Sequence, residues 1–121
     1  MNILIVEDSL CLIRLYENII QTLTNHNHNI KIISITNCDI YNEFYKNYKF
    51  ELALVVWQLQ DCNTLSIIKD IINKTKLYVI SNKDDVDNVE KVINEYGAPV
   101  KVKPITVDDI RDMLKEVSLI E

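Results

Sequence analysis

Apolar and polar residues alternate along the chain in blocks that predict strands and helices in turn. Five short apolar runs predict strands, and these runs are Ile3–Val6, Ile30–Thr36, Leu52–Val56, Leu77–Ile80 and Val100–Val102. Runs of this kind are typical of parallel strands that are buried on both faces of a sheet. After each run, apolar residues recur at steps of three or four, as they do on one face of a helix. The pattern therefore predicts five strands that alternate with five helices.

The predicted helices have identifiable starts and stops. The apolar positions of the five helices fall within Leu12–Leu23, Cys38–Tyr48, Leu65–Ile72, Val86–Tyr96 and Ile110–Val117. Asp8 or Ser9 can accept the free amide bonds at the start of the first helix. Gly97 suits the left-handed end of the fourth helix, and Thr106–Asp109 resembles a capping box before the fifth.

This alternation predicts an α/β fold with a doubly wound parallel sheet of five strands in the order 2-1-3-4-5. A length of 121 residues corresponds to one domain, residues 1–121, because an average domain has roughly 150 residues. Sheets of this type bind ligands beyond the carboxyl ends of the strands, near the gap between the first and third strands. The residues at those ends are Glu7, Asp8, Val56, Trp57, Ser81 and Lys103.

Composition narrows the range of functions. Gly97 is the only glycine, so the chain cannot contain the glycine-rich loops that bind dinucleotides or cradle phosphates. The net charge of −5 would on average repel a phosphate backbone, so we expect no direct contact with nucleic acid. No apolar run approaches the roughly 18 residues of a membrane span, and the amino terminus lacks a basic flank. We therefore expect a cytoplasmic protein that does not contact a membrane.

Cysteine and histidine residues offer no metal centre. Cys11, Cys38 and Cys62 are far apart, odd in number and without a C-x-x-C pair. We interpret them as buried, reduced thiols and not as a zinc site or a disulfide framework. His26 and His28 lie in a polar stretch that predicts a solvated loop, and two ligands on a turn do not complete a metal site.

Three motifs together resemble the receiver domain of bacterial response regulators, over essentially the whole chain. Glu7-Asp8 after the first strand resembles the acidic pair of that family, and Lys103-Pro104 resembles its Lys-Pro signature after the fifth strand. Ser81 lies where the family has a serine or threonine. The resemblance implies that the acidic pair helps to hold magnesium and that an aspartate ending the third strand accepts a phosphoryl group. The hydroxyl and the lysine would hold the phosphoryl oxygens.

The aspartate that this chemistry requires is missing. Alignment with the family places Val56 at the phosphoacceptor position, and shifting the alignment by one or two residues offers no carboxylate. Other departures are Gln60 in place of proline, Thr64 in place of glycine, and Val100 near the position of a rotating aromatic side chain. A hard cation loses an oxygen ligand in this arrangement, so we expect weak or absent Mg²⁺ binding and no cofactor.

Three groups of residues each allow two interpretations: the charged residues at the strand ends, Trp57, and the aromatic residues of the second helix. Lys103 can pair with Asp8 or Glu7 as a buried ion pair that only fixes the strand ends, or these residues can retain a cation or ligand site. Trp57 can be a lid over the vacated pocket or an exposed contact for a partner. The aromatic residues of the second helix, such as Phe44, can be packing or a recognition surface.

The sequence favours a non-enzymatic pseudo-receiver, a phosphorylation-independent module of a two-component-type regulator that acts by protein contact. In the family, the face of the fourth helix, fifth strand and fifth helix commonly binds partners or mediates dimers. In this chain that face would carry Lys91, Lys101, Arg111 and Lys115 among residues of mixed charge. One alternative is a receiver phosphorylated on a non-standard carboxylate such as Asp61. Another is a sensor of a small ligand in the vacated pocket.

Overall fold

One parallel β-sheet organises the protein, and the structure, a computed structural model, describes all residues from Met1 to Glu121. The strands are β1 (Asn2–Val6), β2 (Lys31–Ile35), β3 (Leu52–Val56), β4 (Lys76–Ser81) and β5 (Val100–Val102). They lie in the order β2-β1-β3-β4-β5, and every neighbouring pair is parallel. This confirms the predicted α/β fold and strand order, which are those of the flavodoxin-like receiver fold.

Five helices connect and follow the strands. They are α1 (Leu10–Leu23), α2 (Cys38–Ile40), α3 (Leu65–Ile71), α4 (Val86–Ile93) and α5 (Val107–Glu116). The Ser9 hydroxyl caps α1, and Thr106 and Asp109 form the predicted capping box of α5 through reciprocal bonds of 2.9 and 3.0 Å. After α4, a 3-10 turn ends at Gly97, whose φ of 76° is left-handed as predicted.

The helices cover both faces of the sheet. The chain moves from β1 to β2 in one direction and from β2 through β3 and β4 to β5 in the other. Right-handed crossovers therefore place α1 on one face and α2, α3 and α4 on the opposite face. α5 packs against α1 and so shares its face. Because both faces are covered, every residue of the central strand β3 is buried, which explains its uninterrupted apolar sequence. No helix combines the length and apolarity needed to cross a membrane.

The predicted second helix is the least regular element. Only Cys38–Ile40 is α-helical, and the chain continues as a π-helical turn over Tyr41–Tyr45. Tyr41 is 1% exposed, and its hydroxyl donates to the Asp70 carboxylate on α3. Tyr45 and Tyr48 pack with Phe50 in an aromatic cluster. The aromatic rings thus make tertiary contacts in a segment where the spacing predicts a regular helix. Phe44, by contrast, is 69% exposed.

The interpretation of the cysteines as reduced thiols is wrong for two of the three. Cys38 and Cys62 form a disulfide with a Cα–Cα distance of 6.5 Å. Cys11 is a free thiol, but it is exposed. The two cysteines are 24 residues apart in the sequence, so their spacing does not predict the contact. They meet because β2 and β3 lie on either side of β1 and the segments that follow these strands start at the same edge of the sheet. Cys38 starts α2, and Cys62 lies in the loop before α3.

Candidate functional site

An ion pair joins the acidic motif after β1 to the Lys-Pro motif after β5, at the edge of the sheet where the strands end. Glu7 follows β1 and is 1% exposed, whereas Lys103 follows β5. Lys103 Nζ lies 2.9 Å from Glu7 Oε1, so the pair spans the ends of the two intervening strands. The Lys103 side chain is 26% exposed, which leaves the pair with contact to water at one end. The pair is thus formed with Glu7 and not with Asp8.

The second oxygen of Glu7 has partners within the chain as well. Oε2 accepts the backbone N–H of Asp8 at 2.9 Å and that of Ser9 at 3.2 Å, just before α1 begins. These bonds hold the carboxylate at the amino end of the helix, where the backbone N–H groups are otherwise unpaired. A buried carboxylate needs such partners, because removal from water is costly for an unpaired charge.

Asp8 fastens the following loop to the sheet. The segment Trp57–Thr64, which we call the β3–α3 loop, lies between β3 and α3. Within it, the Gln60 N–H donates to Asp8 Oδ2 at 2.8 Å. The carboxylate that the family resemblance assigns to a cation is therefore bonded to the backbone of this loop.

Thr64 closes the same loop from its other end. The residue is fully buried, and its Oγ1 lies 2.6 Å from the Val56 carbonyl oxygen and 2.9 Å from that of Trp57. The Asn63 side chain also donates to the Trp57 carbonyl oxygen, at 3.2 Å. A glycine at position 64 could make no such side-chain contact. The loop is consequently held by its own side chains.

Val56 ends β3 at the position that the resemblance assigns to the phosphoacceptor, and it is 3% exposed. A cavity of only about 20 Å³ remains beside it, room for about one water molecule. Its lining consists of Val56, Trp57, Gln58, Ile80, Ser81, Asn82, Asp85 and Lys103. Trp57 is half-buried and packs against the core, which agrees with the lid and not with a fully exposed contact. Asp61 is exposed and does not line this cavity.

Ser81 and Val100, which lie where the family has a hydroxyl residue and a rotating aromatic side chain, make ordinary structural contacts. Ser81 ends β4, is 2% exposed, and donates its hydroxyl proton to the neighbouring Asn82 carbonyl oxygen at 2.9 Å. Val100 is half-buried and pairs with Val79 in the β4–β5 ladder. The site therefore collects Glu7, Ser81 and Lys103 around Val56, while Val100 lies at the other end of β5.

The residues present do not fit a magnesium ion. Glu7 is engaged by Lys103 and two backbone amides, Asp8 by Gln60, and Val56 offers no oxygen on its side chain. Nowhere in the chain do three or more His, Cys, Asp or Glu side chains lie close enough together to share a metal ion. Mg²⁺ requires several oxygen ligands in near-octahedral geometry, and this edge of the sheet does not present them.

Beneath the ion pair lies a tyrosine whose hydroxyl has no partner. Tyr16 of α1 is 1% exposed, and its hydroxyl makes no hydrogen bond. Burial, and then the charge of Glu7, raise the pKa of Tyr16 to about 12. The phenol therefore stays neutral beside the carboxylate over the physiological pH range.

The predicted interaction face is formed by α4, β5 and α5, which we call the 4-5-5 face, and it contains two clefts. One cleft of about 550 Å³ lies between α4 and β5, and its lining includes Lys91. The other, of about 660 Å³, lies beside β5 and α5, and its lining includes Lys101 and Lys115 together with acidic residues of α5. Arg111 lines neither cleft, and its guanidinium pairs with Asp108 on the same helix.

The acidic groups of this face are themselves influenced by their surroundings. The Thr106 backbone N–H holds the pKa of the Asp109 carboxyl below its usual value. Burial, and then the charges of Glu116 and Asp112, raise the pKa of Tyr78. The Asp109 carboxyl is therefore charged at neutral pH, and the Tyr78 hydroxyl is neutral.

Comparison with known proteins identifies the fold. No family model matches the sequence, and neither does any curated protein. Among solved structures, the chain is similar to a response regulator receiver protein from Burkholderia phymatum, with a TM-score of 0.78, 15% identity and coverage of 97% of this chain and 94% of that chain. It is also similar to the N-terminal signal receiver domain of a two-component response regulator from Bacteroides fragilis, with a TM-score of 0.72, 20% identity and coverage of 97% and 95%. An adenylate cyclase from Rhodopirellula baltica matches with a TM-score of 0.75, 14% identity and coverage of 96% and 85%.

Proposed function

We propose that this chain is a phosphorylation-independent, receiver-like signalling module that acts by binding protein. The receiver fold of the chain and the receiver domains among its structural neighbours support a signalling role. The observation that carries the proposal is Val56, a buried aliphatic side chain at the end of β3, where a phosphoryl group would need a carboxylate. A valine has no atom that can form an acyl phosphate.

The partners of the acidic pair support the same conclusion. Glu7 forms an ion pair with Lys103 and accepts two backbone amides, and Asp8 holds Gln60. A phosphoryl group with its cation would have to break the ion pair and the Asp8–Gln60 hydrogen bond. The exposed position of Asp61 argues against it as a substitute acceptor, and the cavity of about 20 Å³ argues against a small-ligand sensor.

The test is exposure of the whole chain to acetyl phosphate and Mg²⁺, followed by intact mass and amide NMR with beryllofluoride. We expect no added phosphoryl mass and no shifts at Asp8, Val56 or Lys103. The matched control is Val56→Asp, which returns a carboxylate to the end of β3 and gives the chain the acceptor it lacks. A phosphoryl adduct on the unmodified chain, at Asp61 or any other carboxylate, would overturn the proposal.

For the output of the module, we propose the 4-5-5 face as the contact with a protein partner or a second copy of the chain. Its two clefts contain lysines interspersed with carboxylates, and mixed charges of this kind give specific pairing. Charge reversal at Lys91 or Arg111 should weaken the contact, whereas substitution of Asp8 or Lys103 in the folded protein should leave it intact. Lys31→Glu, on the opposite edge strand β2, is the matched control for charge alone.

Sedimentation velocity over a range of concentrations measures whether the contact is made with a second copy. Self-association that Lys91→Glu abolishes and Lys31→Glu preserves would identify a dimer through the 4-5-5 face. A monomer at every concentration would exclude the second copy and leave a different protein as the partner. Loss of binding confined to Asp8 or Lys103 variants would contradict the assignment of this face.

A further inference from the structure

The Cys38–Cys62 disulfide joins the start of α2 to the β3–α3 loop, at the same edge of the sheet as Asp8. We propose that these two cysteines form a reversible thiol–disulfide modification site, reduced by dithiol proteins or small thiols, and that reduction releases the β3–α3 loop from the sheet. Neither strand pairing nor an ion pair connects the two segments, so this bond is the strongest link between them.

Cys62 is the more exposed residue of the pair. Cys62 is half-buried in a loop whose neighbouring residues Gln60, Asp61 and Asn63 are exposed. Cys38 is only 8% exposed and packs against the hydrophobic core. An incoming thiol therefore meets Cys62 first, and Cys38 is the leaving group.

The exchange balances as an ordinary two-electron reduction. A thiolate of the reductant attacks Cys62 Sγ, the bond between the two sulfurs breaks, and Cys38 leaves as a thiolate that takes a proton from water. A second thiol of the reductant then attacks the mixed disulfide and frees Cys62, which is likewise protonated. The pair gains two electrons and two protons, and the reductant leaves as a disulfide. A disulfide-bearing oxidant reverses the reaction.

Reduction would affect only the segment Gln60–Asn63, because the residues on both sides of it are buried. Leu59 is 2% exposed and Thr64 is fully buried, so the loop is anchored on both sides of Gln60–Asn63. Within that segment, the bonds to residues outside the loop are the disulfide, the Gln60 N–H to Asp8 Oδ2, and the Leu65 N–H of α3 to Asn63 Oδ1. Once the disulfide is reduced, the exposed Gln60–Asp8 hydrogen bond is what still ties this segment to the end of β1, and such bonds open readily. The core of the sheet does not depend on it.

Release of the loop would change the surface that surrounds Asp8. The Asp8 carboxylate would lose the Gln60 N–H and become accessible to solvent or to a partner. The thiol–disulfide exchange does not depend on the proposed function. Its role as a signal does rest on that function, because the redox state of the cysteines would then regulate the signalling module. The two fail separately, because one is measured by thiol counting and the other by phosphoryl mass.

The test compares the whole chain in oxidised glutathione and in dithiothreitol, under native conditions. Alkylation with N-ethylmaleimide and intact mass should give one modified cysteine in the oxidised sample, Cys11, which carries N-ethylmaleimide or glutathione, and three N-ethylmaleimide adducts after reduction. Hydrogen exchange followed by NMR should show the Gln60 amide exchanging at least about tenfold faster after reduction, with β1 and β3 amides unchanged. The double variant Cys38→Ser/Cys62→Ser should exchange fast in both buffers, and Cys11→Ser should respond like the parent chain.

Three results would each overturn the proposal. Three adducts in oxidised glutathione would mean that the disulfide does not form. A single adduct after dithiothreitol, rising to three only in denaturant, would mean that the bond is sealed from reductants. Equal acceleration of exchange at Gln60 and in β1 and β3 would mean that the bond holds the entire domain together and does not control one loop.

Discussion

Replacing Lys103 by methionine tests whether the Glu7–Lys103 pair is a structural element of the sheet edge. The change keeps most of the apolar stem of the side chain and removes the charge 2.9 Å from Glu7 Oε1. Glu7, at 1% exposure, would then hold a buried negative charge with only the amides of Asp8 and Ser9 as partners. Breaking a fully buried pair in this way costs about 3–5 kcal/mol.

The exposure of Lys103 reduces this cost. Its side chain is 26% exposed, so water can approach the vacated position, and we expect a loss of about 2–3 kcal/mol. In a domain of this size, that loss corresponds to a melting temperature lower by about 10 °C. Glu7→Gln should cost less, about 1 kcal/mol, because the unpaired lysine can turn towards water. The double variant Glu7→Gln/Lys103→Met should be more stable than Lys103→Met alone, since it buries no charge.

The assay is urea unfolding followed by far-ultraviolet circular dichroism for the parent chain, both single variants and the double variant. The four free energies of unfolding give the coupling between the two side chains directly. Single variants within about 0.5 kcal/mol of the parent, with additive effects in the double variant, would refute the buried pair. A changed slope with urea would indicate instead that a variant alters the unfolded or native ensemble.

Three further predictions concern single side chains. Tyr16→Phe should raise the free energy of unfolding at pH 7 by about 1 kcal/mol, because the buried hydroxyl has no partner. Since the pKa of Tyr16 is raised to about 12, its ionisation leaves the stability unchanged below pH 10 and lowers it as the pH rises from 10 through 12, because the unfolded chain gives up this proton first. Urea midpoints at pH 9, 10 and 11 should therefore fall less steeply for Tyr16→Phe than for the parent chain. Thr64→Val should cost about 1–2 kcal/mol, because it removes the donor to two carbonyl oxygens at the end of β3; an unchanged urea midpoint would contradict those bonds. Gly97→Ala should cost about 1 kcal/mol in thermal unfolding, because of the φ of 76°, and Gly97→Asn less; equal melting temperatures would contradict the left-handed turn.

The regular part of the fold could be predicted because its signals are local. Each strand is a short apolar run, and the helix ends at Ser9, Gly97 and Thr106 have residues with specific backbone roles. The strand order follows from the general rules of doubly wound sheets and from the resemblance to receiver domains. The π-helical turn was not predictable in this way, since it depends on where Tyr41 meets Asp70 across the sequence.

In the candidate site, too, some features could be predicted from the sequence and others could not. Glu7, Val56, Ser81 and Lys103 lie at the carboxyl ends of their strands as predicted, because the edge at which parallel strands end is fixed by topology. The choice of Glu7 over Asp8 as the partner of Lys103 depends on side-chain direction, which the sequence does not encode locally. The disulfide could not be predicted, because the spacing of cysteines in the sequence does not show that two loops meet across an intervening strand.

Trp57 is the only tryptophan of the chain, and it lies where the β3–α3 loop, the small cavity and Lys103 meet. The protein therefore contains an optical reporter at its candidate site without any added label. A half-buried indole changes its emission wavelength and its quenching by acrylamide when water gains access to the ring. Steady-state fluorescence can consequently follow the state of this edge of the sheet in dilute solution, in real time and in the presence of any partner that itself lacks tryptophan.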